Sequence, residues 1–282
     1  MWIVAGIFCA FLFSLASIMR KQVLKHEHTL PTLFWSTVAM AFTTLLFFNQ
    51  IQFNVKPEIA AMLFWLAFFI ALGWYTLFHA IRVSEISAVE PLMNLSPILV
   101  ALFAFIFLGE HLGLIQYLGI AIIVFGTMIL QFDIKRHALM MSFNRQTIYM
   151  GIAITAFSIA AILAKAILAH ITVMTVLFYV FSTSAILYLI AIIARGYITD
   201  IFAPLKHTPY IVVGSAATQF SAEVVLHSLM ALPIAVSLLI PIKRLSTVFS
   251  TIVGGTYFHE GKILQKGIAC GVMFIGVICI AV

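Results

Sequence analysis

Apolar runs of about 20 residues recur along the whole chain, broken by short polar segments, and that length crosses about 30 Å of hydrocarbon at 1.5 Å per residue. The runs show none of the alternation in segments of about 10 residues that a membrane barrel requires. A backbone in lipid must satisfy its own hydrogen bonds, so each run is read as a helix. The pattern predicts an all-α integral membrane protein with ten transmembrane helices, near residues 2–19, 31–50, 58–80, 84–107, 114–132, 147–168, 172–195, 209–228, 234–257 and 262–282. The first run lacks the basic leader of a signal peptide and is expected to be retained. Both ends are expected to lie close to the membrane surface.

Composition removes the soluble alternative. Only 9% of the 282 residues are charged and 64% are hydrophobic, against about 25% charged in soluble domains. The net charge of +6 does not point to nucleic acid, because the basic residues sit mostly in short loops, where they orient a membrane protein. Cys9, Cys270 and Cys279 all fall in apolar runs and form no metal-binding or disulfide pattern.

The chain repeats itself. A shift of 150 residues aligns Pro91 with Pro241, Ser96 with Ser246, Glu110 with Glu260 and Gly126 with Gly276. Near the start of each half a shift of 144 pairs Lys21 with Lys165, His26 with His170, and Leu33-Phe34-Trp35 with Leu177-Phe178-Tyr179. This divides the chain into a five-helix repeat over 1–132, a connecting loop over 133–146 and a second five-helix repeat over 147–282. Five is odd, so the two repeats must face opposite ways across the membrane, with a substrate site expected between them near the midplane.

The stretch Tyr75–Leu130, with Glu90-Pro91, Leu108-Gly109-Glu110 and the run from Gly119 to Gly126, resembles the EamA-type repeat of the drug/metabolite transporter superfamily. The second half follows it more loosely through Pro241, Glu260 and Gly276. The resemblance implies ten helices, alternating access and a central cavity. It departs in two places: Trp35-Ser36-Thr37-Val38 lacks the basic residue often found in the second helix, and Lys243-Arg244 stands where the first half has Met93-Asn94. The resemblance also implies termini in the cytoplasm. Charge bias implies the reverse. All but four of the 15 Lys and Arg (Lys56, Lys165, Lys243 and Arg244) fall in odd-numbered loops, which the positive-inside rule places in the cytoplasm.

Polar groups inside the spans are the candidates for function. A charge at a helix centre costs about 2.5–3.5 kcal/mol on insertion scales, so it usually faces a cavity or a partner. Arg244 lies mid-span after Pro241. Glu90 and Asn94 share one helix face, and the symmetry would place Glu90 and Arg244 in one cavity. Lys243 projects about 100° from Arg244. Gln219, Glu223 and His227 form a stripe at i, i+4 and i+8. Glu223 and His227, with His79 on a comparable stripe of the third span, are candidates for proton coupling. Trp35, Trp74, Tyr75 and Tyr179 are candidate wall residues, and Pro91 and Pro241 are candidate hinges. Each of these also has a purely structural reading: an ion pair, an interfacial aromatic or a static kink. Glu110 and Glu260 are expected to cap the helices that follow them.

The chain carries no Walker A, GxSxG, HExxH or dinucleotide motif, and no catalytic residue, metal or cofactor is assigned. The reading is a secondary transporter in the plasma membrane, of the kind found in a bacterial inner membrane, moving a small polar metabolite. An amino acid or related zwitterion is favoured, and proton coupling is an option. The alternatives are an exporter of organic cations or drugs, and a membrane-embedded enzyme or lipid-linked flippase subunit. The partners expected are a small-molecule substrate and the bilayer. A monomer suffices to enclose a cavity, and a homodimer is compatible with it.

Overall fold

The computed structural model describes residues 1–24, 26–83, 93, 95–131, 145–246, 248–250 and 263–281. Among these there is no strand. The principal helices are α1 (Trp2–Leu24), α2 (Thr29–Thr44), α3 (Pro57–Val83), α4 (Ser96–Phe103), α5 (Leu114–Gln131), α6 (Arg145–Ile167), α7 (Val173–Ala194), α8 (Pro209–Ala231), α9 (Val236–Lys243) and α10 (Ile263–Ala281). A 3₁₀ segment, Leu45–Gln50, extends α2. A π turn, Ala104–Leu108, extends α4.

Five of these segments are long and apolar enough to cross a membrane, and shorter apolar helices accompany them. Large hydrophobic side chains such as Phe8, Phe42, Trp65, Phe107 and Phe125 lie on the outer surface. Such a surface is stable in lipid rather than in water, and the chain is a multi-pass membrane protein. The predicted spans match the described helices to within a few residues at most ends. The ends predicted at 84 and 257 lie outside the described residues, and α1 runs beyond its predicted end to Leu24 and carries Arg20 inside it, 5% exposed. Arg20 is therefore not a loop residue, as its place in the charge count assumed.

Packing partners follow a simple exchange rule. Adding five to each helix number, cyclically, turns the α1–α8 contact into α6–α3. In the same way α1–α9 becomes α6–α4, and α2–α8 becomes α7–α3. All six contacts are present, and so are three of the five pairs the rule maps onto themselves: α2–α7, α4–α9 and α5–α10. These three pairs run antiparallel. Gln50, at the end of the α2 segment, meets Thr172 at the start of α7. Ser96, at the start of α4, meets Arg244 at the end of α9. Gly119 of α5 faces Gly276 of α10, whereas Gly126 faces Ala269 and Met273.

The α5–α10 seam depends on glycine. A Cβ added at Gly119 would stand 2.8 Å from the Gly276 carbonyl oxygen, and one at Gly276 would stand 2.8 Å from the Gly119 carbonyl. Small residues let membrane helices approach this closely, where packing rather than a hydrophobic drive holds them.

Candidate functional site

The structure places one largely enclosed cavity inside the helix array, walled by α1, α2 and α3 from the first half and α7 and α8 from the second. Apolar walls come from Leu33, Met40, Ile70, Leu177, Val180 and Phe181. Into this lining the sequence sets a polar row. An Arg20 Nη2 donates to Gln219 Oε1 at 3.1 Å. Gln219 Nε2 donates to Glu223 Oε1 at 2.8 Å. His227 Nδ1 lies 3.4 Å from Glu223 Oε2 and donates to the Glu223 carbonyl at 2.9 Å. The three α8 residues line up because successive steps of four bring side chains to one helix face. Arg20 reaches the row because α1 packs on α8. Its guanidinium lies 4.7 Å from the Trp74 ring centroid and 5.1 Å from that of Phe78, a cation–π setting that a desolvated arginine favours. The row therefore holds a cation, an amide, a carboxylate and an imidazole in one apolar enclosure. The cavity is small, about 30 Å³, room for roughly two waters. Its walls must part before a metabolite can enter. A wider groove between α3 and α6, lined by Phe69, Leu72, Ile148 and Ile152, opens to the outer surface and carries no charged group.

The other expected site residues are distributed differently. Glu223 and His227 line the cavity. Arg244 does not: it caps α9 and gives Nε and Nη2 to the Ser96 hydroxyl at 2.9 and 2.6 Å. Lys243 points the other way, its ammonium 4.0 Å from the Phe13 ring centroid. Trp35 donates Nε1 to the Ile201 carbonyl at 2.7 Å. Tyr179 donates its hydroxyl to the Phe53 carbonyl at 3.2 Å. Both tie α2 to α7 and its flanks outside the cavity. His79 sits between Tyr75 and Tyr149, with ring centroids 6.0 and 4.8 Å away, and Tyr75 also faces Arg195. Pro241 lies inside α9. Glu90, Asn94, Pro91 and Glu260 lie outside the described residues.

Glu110 caps a helix, but the helix is α9 rather than α5, which follows it. Its carboxylate accepts from Val236 N at 2.8 Å, Ser237 N at 3.2 Å and Ser237 Oγ at 2.5 Å. Gly109, at φ 63°, makes this possible. The left-handed turn closes the π turn and swings the next residue back across the bundle, and glycine adopts it without a Cβ clash. The sequence reading missed most of the lining, including the polar residues Arg20, Ser36, Thr37, Ser184 and Tyr188. One signal for Arg20 was available: the 144-residue shift sets it opposite Ala164, an unmatched charge of the kind that drew attention to Arg244.

With this geometry in view, the relatives can be placed. Residues 1–132 match the EamA-like transporter family. A curated Sinorhizobium protein, described as an uncharacterized transporter in the cobO 3' region, is 40% identical over 58 residues, or 21% of this chain. The chain spans about two fifths of that relative's length, 41%. A solved crystal structure, described only as that of a protein, superposes at TM-score 0.74 with 14% identity, covering 100% of this chain and 98% of the other. At that identity the likeness establishes a shared fold across the whole chain.

Proposed function

We propose that this protein is a secondary active transporter of the plasma membrane. It carries a small polar metabolite, an amino acid or related zwitterion, by alternating access. The observation that carries the reading is the polar row Arg20–Gln219–Glu223–His227, buried in a cavity whose walls come from both halves of the chain. Charge of both signs in an apolar enclosure suits a ligand that itself carries both. The exchange rule among helix partners and the antiparallel self-mapped pairs support two inverted five-helix repeats, the architecture in which one repeat rocks against the other around a central site.

In the same reading Glu223, braced by Gln219 and His227, is the proton-coupling group. A buried carboxylate that exchanges its proton can tie substrate movement to a proton gradient. Arg244 and Lys243 are assigned to the framework rather than to the ligand.

Uptake by purified protein in proteoliposomes, measured against a metabolite panel with and without an imposed pH gradient, tests this function. Saturable uptake of at least one zwitterion that follows the gradient is the expected result. Glu223→Gln should abolish the gradient response with the folded yield unchanged. Saturable uptake that ignores the gradient removes the coupling, and no flux of any panel compound removes the transporter.

A further inference from the structure

We propose that Arg20 and Ser36 form a carboxylate subsite in this cavity, and that the Gln219 amide occupies the carboxylate's place when no substrate is bound. The inference rests on the cavity being the transport site and goes further by assigning which part of the substrate binds where.

Arg20 is 5% exposed, and among the described residues no carboxylate pairs with it. Its row partner is a neutral amide oxygen. Glu223, the acid of the row, meets Gln219 and His227 instead. Trp74 and Phe78 account for two of its neighbours, yet the buried Nε makes no hydrogen bond. A buried guanidinium with a spare donor and no carboxylate in direct contact is an expensive arrangement unless a ligand completes it. The planar fork of arginine matches the two oxygens of a carboxylate, which accept in parallel.

Ser36 supplies the second observation. On α2 the hydroxyls of Thr32, Thr37, Thr43 and Thr44 each donate to a carbonyl one turn back. Ser36, on the same helix, makes no such bond. Its Oγ is buried without a partner, the residue is 3% exposed, and it lines the same cavity as Arg20. An O–H left unpaired in an apolar wall is a donor waiting for an acceptor.

The Gln219 side chain presents to Arg20 an oxygen of the same geometry as half a carboxylate, and its NH₂ holds Glu223. An incoming carboxylate competes with that oxygen for the guanidinium. When it wins, the amide is released at one end while its other end still touches Glu223. Occupancy of the anion subsite is thereby reported to the Glu223–His227 pair through one side chain. The substrate class follows: a small carboxylate whose remainder is apolar enough for Leu33, Met40, Leu177 and Phe181. Compounds lacking the carboxylate leave Arg20 and Ser36 unanswered, which is the strongest form of rejection a polar site offers.

The test measures equilibrium binding to the full-length protein in lipid nanodiscs, using the small neutral α-amino acids, their carboxamides and their deaminated acids. Amino acids are expected to bind, and each carboxamide should bind about 100-fold more weakly. Arg20→Gln should lower carboxylate affinity at least about tenfold and leave carboxamide binding unchanged. Ser36→Ala, which keeps volume and charge, should lower it roughly threefold. Gln219→Ala, which removes the competing oxygen, should raise carboxylate affinity, a gain that a structural role for the row would not produce.

Carboxamides binding as tightly as acids overturn the subsite. So does Arg20→Gln binding acids like the wild type, or no acid of the panel binding. Flux of the same compounds in proteoliposomes separates the two claims. Carboxylate binding without flux supports the subsite and sinks the transporter. Flux indifferent to the carboxylate sinks the subsite and leaves the transporter.

Discussion

The protein holds Arg20 buried and Arg244 half-buried on two sides of its helix array and uses them in opposite ways. On the α4–α9 side, Arg244 closes the end of α9, and both of its contacting nitrogens fall on one hydroxyl, Ser96. Glu110 closes the start of the same helix with three acceptor contacts. On that side Glu110 and Arg244, at the two ends of α9, hold protein atoms. On the α1–α8 side, Arg20 has aromatic neighbours, an amide partner and a donor to spare, beside a cavity. Charge in a membrane span marks a place of interest, but the partner list separates a strut from a binding group.

The largest effect expected from this contrast is on transport. Arg20→Gln and Glu223→Gln should each reduce proteoliposome uptake at least about tenfold at wild-type folded yield. Arg244→Ala should lower the melting temperature by a few degrees and leave the KM of whichever substrate is carried unchanged. Its lost hydrogen bonds are worth about 1–3 kcal/mol in stability. If Arg244→Ala raises KM as Arg20→Gln does, the two sides are not different in kind.

Next in size is Gly119→Val at the α5–α10 seam. Its Cβ would meet a backbone oxygen that cannot step aside, and overpacking of this kind costs about 1–3 kcal/mol, read as a drop in detergent melting temperature. Glu110→Gln should cost about 1 kcal/mol by weakening the cap on α9, with substrate affinity untouched. The smallest is Trp35→Phe, which loses one hydrogen bond to Ile201, about 0.5–1.5 kcal/mol. It should be visible as faster hydrogen exchange in the segment around Ile201, with the KM unchanged.

The helices were legible because lipid imposes a length and an apolar surface on every span, and nothing in the chain competes with that signal. The Gln219–Glu223–His227 stripe was legible for the same reason: three polar groups at steps of four must share a face. Arg20 was not, because a basic residue next to Lys21 reads as a helix end reaching for the headgroups. Only the packing of α1 against α8 and α3 draws it inside. Ser36 was invisible since serine in a span usually bonds back to its own helix, and no local pattern says when it does not. Arg244 drew attention through its depth in the chain, yet its partner, Ser96, lies in the other half, with 148 residues of separation. Glu110 shows the same limit. The local sequence says that it caps a helix, and the tertiary fold decides which one.

The glycines of the α5–α10 seam set a limit on how the molecule can move. Side-chain interfaces shear by exchanging rotamers, but where main chain rests on main chain there is nothing to exchange. The two helices behave as one thick rod shared by both halves, and a rod cannot be the part that opens. In the rocking proposed above, this seam would be the fulcrum.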